Sequence, residues 1–252
     1  MEHVARTMAR YQAIIEYDGT DFLGFQRQAT GRTVQGEIEA ALGRIGWAGK
    51  AVLGAGRTDS GVHAAGQVIA FDIEWKHGAR DLQRALNANL PLDVAAKTLN
   101  ECAADFHPRY SAKGRRYRYT LYNSPVRSPL AARYAWHVWP PLLNMAAMQA
   151  ASEALIGRHD FAAFGTDPED GDSTTRTVAQ AQWTGAGEWL YFEVQADAFL
   201  YRMVRSLVGA LKKVGAGDLA VAEFVALLQT RDRQQCPPIA PPQGLCLTQV
   251  LY

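Results

Sequence analysis

The order of strand and helix patterns restricts the possible folds of this chain more than any other feature, because it is the same in both halves. The first half has strand patterns at 11–17, 51–55, 66–73 and 94–101, and helical patterns that begin at Thr33 and near residue 79. The first helix carries apolar residues along one face, at Val34, Ile38, Leu42 and Ile45. The order is therefore βαββαβ, which is typical of a ferredoxin-like unit.

The second half repeats this order. Its strand patterns lie at 115–122, 177–184, 188–196 and 245–251, and its helical patterns at 142–156, 200–214 and 219–229. Each half predicts an antiparallel sheet with helices on one face, so the fold class is α+β with two ferredoxin-like halves. We place the boundary in the stretch around Pro108, which gives an N-terminal domain of residues 1–105 and a C-terminal domain of residues 106–252.

Composition indicates a globular protein rather than a membrane protein. The 252 residues are 48% hydrophobic, which is enough to bury a sizeable core. No apolar run approaches the ~18 residues of a membrane span, and residues 1–6 do not open the apolar stretch of a signal peptide. We therefore expect a cytoplasmic protein without membrane association.

The cysteines and histidines predict neither disulfides nor a metal site. Cys102, Cys236 and Cys246 form no even framework and no Cys-x-x-Cys pair. The six histidines are scattered, without the spacing of metal ligands. We expect reduced thiols, no metal and no organic cofactor.

Residues 54–64 have the composition of a functional loop. The glycines at 54, 56 and 61 permit backbone angles closed to other residues, and Arg57 stands two residues before Asp59. Strand patterns on both sides place Asp59 on a loop held by a scaffold, where catalytic residues are common. A simpler interpretation is that Asp59 caps a turn.

The sequence of this loop excludes a dinucleotide-binding motif and a P-loop, but it leaves a serine nucleophile open. A dinucleotide-binding fingerprint needs glycine at position 59, and a P-loop needs Gly-Lys-Ser/Thr at residues 61–63. Ser60 resembles a nucleophile with His63 close by, but its neighbours do not form Gly-x-Ser-x-Gly. An unrelated hydrolase that uses Ser60 or Asp59 is therefore an alternative.

Residues 56–64, Gly-Arg-Thr-Asp-Ser-Gly-Val-His-Ala, resemble the signature of the tRNA pseudouridine synthase A (TruA) family. Further segments that resemble the family follow in order along nearly the whole chain, at 17–26, 33–37, 106–109, 113–119, 159–161, 199–205 and 240–245. The resemblance implies an isomerase that converts uridine to pseudouridine at positions 38, 39 and 40 of the tRNA anticodon arm. It also implies a homodimer that needs no cofactor.

The resemblance implies an architecture and an active site as well. The two sheets would join into one extended antiparallel sheet flanked by helices, with a cleft between the domains where Asp59 meets Tyr117 and Arg205. Asp59 corresponds to the nucleophile of the family. The residues leave open whether it attacks C6 of the base or C1′ of the sugar, and which group removes the C5 proton.

Three residues are candidates for binding the uridine once it is turned out of the RNA stack. Arg57 would occupy the vacated space, and Tyr117 would be the platform for the base. Arg205 would hold the charge of the Asp59 carboxylate. Arg57 could instead pair with Asp59 or Asp18. Tyr117 could pack in a core, and Arg205 could form a buried structural ion pair.

A basic stretch interleaved with aromatic residues predicts an RNA-binding surface. Its cations are Arg109, Lys113, Arg115, Arg116 and Arg118, and its rings are Tyr110, Tyr117, Tyr119 and Tyr122. Cations on a strand neutralise phosphates and rings stack on bases, although a solvated charged strand face explains the same pattern. Acidic residues gather in another loop, at Asp167, Glu169, Asp170 and Asp172. A non-catalytic RNA-binding or RNA-folding module is the alternative function of a different class.

Overall fold

The chain divides into two units within the residues that the computed structural model describes, 7–166 and 173–252. One unit takes the chain up to Lys113 together with Leu247–Tyr252, and the other takes Gly114–Cys246. The acidic loop that begins at Asp167 lies outside the described residues. The domain boundary between residues 105 and 106 stays a prediction.

The first unit has the predicted βαββαβ order. Its elements are β1 (Thr7–Tyr17), α1 (Val34–Arg44), β2 (Leu53–Gly54), β3 (His63–Trp75), α2 (Ala79–Asn89) and β4 (Val94–Glu101). The antiparallel strands lie in the order β4-β1-β3, and the short β2 pairs with β3 at Ala70 and Ile69. The last strand of the chain, β10 (Leu245–Leu251), also lies beside β3, and its residues from Leu247 onward belong to this unit.

Helices α1 and α2 each bury one apolar face. Thr33 caps α1, with its hydroxyl accepting a hydrogen bond from the Gly36 N–H at 3.3 Å, and Ile38 and Leu42 are fully buried in the following turns. On α2, the buried residues are Leu82 and Leu86, as expected of a helix with a single apolar stripe. The helices contact each other, and α2 packs on β4. This packing holds the framework from which the β2–β3 loop, with Asp59, extends.

The second unit also contains both helices and strands, and most of its strands pair antiparallel. Its elements are β5 (Gly114–Tyr122), β6 (Trp136–His137), α3 (Met145–Glu153), β7 (Gly157–Asp160), β8 (Thr175–Ala186), β9 (Trp189–Ala196), α4 (Met203–Gly215) and α5 (Val221–Thr230). The strands lie in the order β5-β9-β8-β7, with β6 parallel to β5. Helix α4 is almost entirely buried and contacts α3 and α5. None of the helices in the described ranges is long and apolar enough to cross a membrane.

The α+β class and the mostly antiparallel pairing of the strands are confirmed, while several element boundaries differ from the prediction. The helix predicted at 142–156 begins only at Met145, because the Asn144 side chain caps it by accepting from the Ala147 N–H at 3.0 Å. Helix α4 begins at Met203 rather than near residue 200, because Arg202 has a left-handed backbone with φ of 61°. The strand predicted at 51–55 is reduced to two residues, and β6 and β7 are too short to give an alternation pattern.

Candidate active site

Asp59 lies in the loop between β2 and β3 and is half-buried. The loop closes through the Val62 N–H, which donates to the Asp59 carbonyl oxygen at 3.1 Å. Strand β3 then starts at His63 and runs antiparallel to β1. The carboxylate is therefore carried by a short turn whose two ends continue into the sheet.

Several hydrogen bonds hold the part of the loop that precedes Asp59. The Gln67 side-chain amide donates to the Gly56 carbonyl at 2.9 Å. The hydroxyls of Tyr17 and Thr58 are 2.8 Å apart, and the Phe25 N–H donates to the Thr58 carbonyl at 3.1 Å. Both the side chain and the main chain of the residue before Asp59 are thus fixed.

The segment 19–25 lies so close to the loop that two of its glycines cannot carry a side chain. A Cβ on Gly19 would lie 2.0 Å from the Val62 carbonyl oxygen, and one on Gly24 would lie 2.6 Å from the Thr58 carbonyl oxygen. Gly24 also has a positive φ of 94°, which favours glycine. This segment, whose Gly-x-x-x-x-Gly spacing was visible in the sequence only as part of the family resemblance, is the support of the loop.

Ser60 is not arranged as a nucleophile. Its hydroxyl donates to the Phe22 carbonyl oxygen at 3.1 Å rather than to a base. His63 is buried, and its Nδ1 accepts from the Gly19 N–H at 3.0 Å and lies 3.2 Å from an Asp18 carboxylate oxygen. These contacts argue against a hydrolase that uses Ser60, because a serine nucleophile must direct its proton to the base.

Arg57 is exposed. Among the described residues, its guanidinium has no hydrogen-bond or ion-pair partner, so the predicted alternative of a pair with Asp59 or Asp18 is not found. A cation in this state remains available to a ligand. Arg57 and Asp59 are the two predicted site residues that the first unit brings together, two positions apart on one loop.

Tyr117 and Arg205 belong to the second unit. Tyr117 lies on β5 opposite Val194, and the Phe199 ring meets its ring edge-on at 5.1 Å between centroids. Arg205 lies on α4 and is 8% exposed, and its Nε donates to the Ala240 carbonyl at 2.8 Å. The Ala240 N–H donates back to the Arg205 carbonyl at 3.0 Å. Arg205 is thus anchored at one edge of its guanidinium.

Burial raises the pKa of the Tyr119 hydroxyl, although the nearby Arg205 charge acts in the opposite direction. The Tyr119 hydroxyl donates to the Pro241 carbonyl at 2.8 Å. Tyr119 is therefore a neutral donor near neutral pH, and it ties β5 to the segment that also binds Arg205. Tyr117, two positions earlier on the same strand, is only half-buried, whereas Tyr119 is fully buried.

The basic residues of β5 have protein partners across the sheet. Arg118 forms an ion pair with Glu193 of β9 at 2.5 Å, and Arg116 donates to the Gln195 amide oxygen at 2.7 Å. Arg115 donates to the Asp197 carbonyl at 3.1 Å. The predicted stripe of phosphate-binding cations is therefore at least partly a cross-strand polar network.

Within the described ranges, no group of three or more His, Cys, Asp or Glu side chains is placed to hold a metal ion. The acidic groups near the loop have other partners. The Asp18 carboxylate, for example, accepts from both the backbone N–H and the hydroxyl of Thr20.

Comparison with known proteins gives a match over most of the chain. The family model described as tRNA pseudouridine synthase matches residues 13–111 and 151–252. The chain belongs to the tRNA pseudouridine synthase family. Three of its relatives are named tRNA pseudouridine synthase A. The one from Syntrophotalea carbinolica is 42% identical over 97% of both chains. The one from Moorella thermoacetica is 43% identical over 94% of this chain and 97% of its own. The third, from Rhizobium meliloti, is 43% identical over 97% of this chain and all of its own.

The pseudouridine synthase match covers three of the four predicted site residues, and the family is one of isomerases. Arg57 and Asp59 lie in its first segment, and Arg205 lies in its second. Tyr117 falls between the two segments, although the relatives align over nearly the full chain.

Proposed function

We propose that this protein converts uridine to pseudouridine in tRNA, at positions 38, 39 and 40 of the anticodon arm. The observation that carries the proposal is a half-buried carboxylate on a loop held from both sides, in a chain of the tRNA pseudouridine synthase family. We propose Asp59 as the nucleophile. The reaction breaks the bond from N1 to C1′ and forms one from C5 to C1′, while a proton leaves C5 and one is gained at N1.

An ionised carboxylate suits this chemistry. A free aspartate has a pKa near 3.9, so it is charged at neutral pH. Attack at C6 of the base and attack at C1′ of the sugar both use that charge, and both end with loss of the C5 proton. Because the reaction is an isomerisation, the proposal includes no oxidant, metal or group donor.

We assign substrate binding to Arg57, Tyr117 and Arg205. Turning a uridine out of an RNA stack costs a few kcal/mol, and the exposed guanidinium of Arg57 is suited to occupying the space that the base leaves. The half-buried Tyr117 ring, held edge-on by Phe199, would stack on the base. Arg205, a buried cation on α4, would contribute its positive charge to the site.

We further propose a cytoplasmic homodimer that selects the anticodon arm by its shape and flexibility. RNA helices are recognised mainly through their shape and backbone. The affinity of such a complex comes largely from contacts with phosphates. Removing the nucleophile should therefore leave binding largely unchanged.

The test is release of tritium from tRNA transcript labelled at uridine C5, without added metal or cofactor. Wild type should release tritium, and Asp59→Ala and the isosteric Asp59→Asn should fall below detection. All three should bind tRNA within about twofold, because phosphate contacts dominate affinity. Asp81→Asn, which changes an exposed carboxylate on α2, serves as the matched control and should be fully active.

Binding of tRNA without tritium release by the wild type would favour the alternative of a non-catalytic RNA-binding or RNA-folding module. Activity retained by Asp59→Ala would instead show that another residue is the nucleophile.

A further inference from the structure

The residue that precedes Asp59 is held by a buried side-chain hydrogen bond. The Tyr17 and Thr58 hydroxyl oxygens are 2.8 Å apart, and the two residues are 3% and 8% exposed. Loss of the Tyr17 hydroxyl would deprive the Thr58 hydroxyl of this partner in surroundings from which water is largely excluded, where an unmade hydrogen bond is costly. The bond is therefore a strong restraint on Thr58.

Tyr17 lies on a strand of the first unit that is paired on both sides. It is the last residue of β1, which lies between β3 and β4, and it stands opposite Ala64 on one side and Val94 on the other. Its ring lies 6.4 Å from that of Phe25, centroid to centroid. The hydroxyl that reaches Thr58 is thus carried by the end of a strand that is paired on both sides.

The peptide groups on both sides of Asp59 are restrained as well. The Thr58 carbonyl belongs to the planar peptide that leads into Asp59, and it accepts from the Phe25 N–H at 3.1 Å. The Asp59 carbonyl accepts from the Val62 N–H at the same distance. With both planes held, the backbone position from which the carboxylate extends is restrained.

We infer that Tyr17 is a positioning residue for the Asp59 carboxylate and acts through Thr58. The inference rests on the proposed role of Asp59 as nucleophile. Bond formation to carbon requires a near-attack geometry, and a displacement of about 1 Å can cost about 100-fold in rate. Tyr17 does not need to touch the substrate to have this effect.

The test compares Tyr17→Phe with Thr58→Val in the tritium-release assay on the full-length protein. Each variant should lower kcat by about 10- to 100-fold and leave KM and tRNA affinity within about twofold, because phosphate contacts are untouched. The double variant should be no slower than the slower single variant, because both changes break the same bond. Thr58→Ser keeps the hydroxyl and should restore kcat to near the wild-type value.

Tyr11→Phe is the matched control, because Tyr11 is another buried tyrosine of β1, at 5% exposure, and packs on Phe71 away from the loop. Its kcat should equal that of the wild type. Urea unfolding of each variant gives the folded fraction under assay conditions, and kcat is corrected for it.

A corrected kcat for Tyr17→Phe that matches the wild type would overturn the inference, and so would additive losses in the double variant. Failure of the proposed nucleophile is a separate result, because it is read from Asp59→Ala alone.

Discussion

At the scale of single residues, Gly24 determines how closely segment 19–25 can approach the Asp59 loop. It combines a φ of 94° with a position where a Cβ would lie 2.6 Å from the Thr58 carbonyl oxygen and 3.3 Å from the Asp59 carbonyl carbon. Both of those atoms belong to the backbone and cannot rotate away. A side chain at this position must therefore displace the loop itself.

We expect Gly24→Ala to lower the free energy of unfolding by about 2–5 kcal/mol, the sum of backbone strain and overpacking. Gly46→Ala is the control, because Gly46 has a φ of 97° but nothing within 4 Å of its would-be Cβ. It should lose only about 1–2 kcal/mol, from strain alone. Urea unfolding measures both, and equal losses would contradict the close approach.

At this scale the residues proposed to act on the substrate could be predicted from the sequence, but the residues that hold them in place could not. Arg57 and Asp59 stand in one short motif, so their proximity is visible directly. Tyr17 and Thr58 are 41 positions apart, and their contact depends on the register of β1 in a folded sheet. The direction of the Ser60 hydroxyl, likewise, is set by the main chain of Phe22.

At the scale of elements, one ion pair joins two neighbouring strands of the first unit. Arg10 of β1 stands directly opposite Asp72 of β3, and two of its nitrogens donate to the two carboxylate oxygens at 2.8 Å each. Hydrogen bonding to Arg10 lowers the pKa of Asp72 below its ordinary value. The pair stabilises the fold above the ordinary aspartate pKa of about 3.9, and this contribution is lost as the pH falls through the lowered value.

We expect Asp72→Asn to lower the free energy of unfolding by about 0.5–1 kcal/mol at pH 7, a modest value because Asp72 is 45% exposed. The difference from wild type should shrink towards zero as the pH falls below the lowered pKa of Asp72, since the wild-type carboxyl is then protonated too. Glu16→Gln, in a longer pair with Lys97 at 3.5 Å, should have a smaller effect. A difference for Asp72→Asn that does not change with pH would contradict the assignment.

The elements that could be predicted from sequence are those with a sustained period. Helix α1, strand β3 and the two helices α4 and α5 have enough residues for their apolar faces to repeat. Strand β2 has two residues and exists only because β3 offers a partner. The partners of the β5 cations could not be predicted either. Arg118 lies opposite Glu193 because of the register between β5 and β9, and the sequence of one strand does not determine that register.

At the scale of the whole molecule, the first unit is built from both ends of the chain. Strand β10 lies beside β3, with Leu247 and Val250 buried, and the Tyr252 hydroxyl donates to the Pro108 carbonyl at 3.0 Å. The Tyr252 ring also packs on Phe106, with 5.2 Å between centroids. A chain that ends early therefore damages the unit that carries Asp59.

We expect deletion of residues 247–252 to lower the Tm by about 10 °C or more, because burial of each aliphatic side chain contributes about 1.5–3 kcal/mol. Deletion of Tyr252 alone is the control and should cost far less, since it leaves Leu247 and Val250 in place. Thermal unfolding followed by circular dichroism gives both values. A Tm for the longer deletion within 2 °C of wild type, on the scale of about 2–4 °C per kcal/mol, would show that β10 contributes little to the first unit.

This arrangement also imposes a delay during synthesis of the chain. The ribosome makes Gly114–Cys246 between the two parts of the first unit, which takes roughly 7 to 27 s at about 5–20 residues per second. Throughout that interval the edge of β3 that will receive β10 has unpaired N–H and C=O groups, and such an edge can pair with another nascent chain. Slower translation of the middle of the message would lengthen this exposure, so we expect the yield of folded protein to depend on codon choice in a region that encodes none of the first unit.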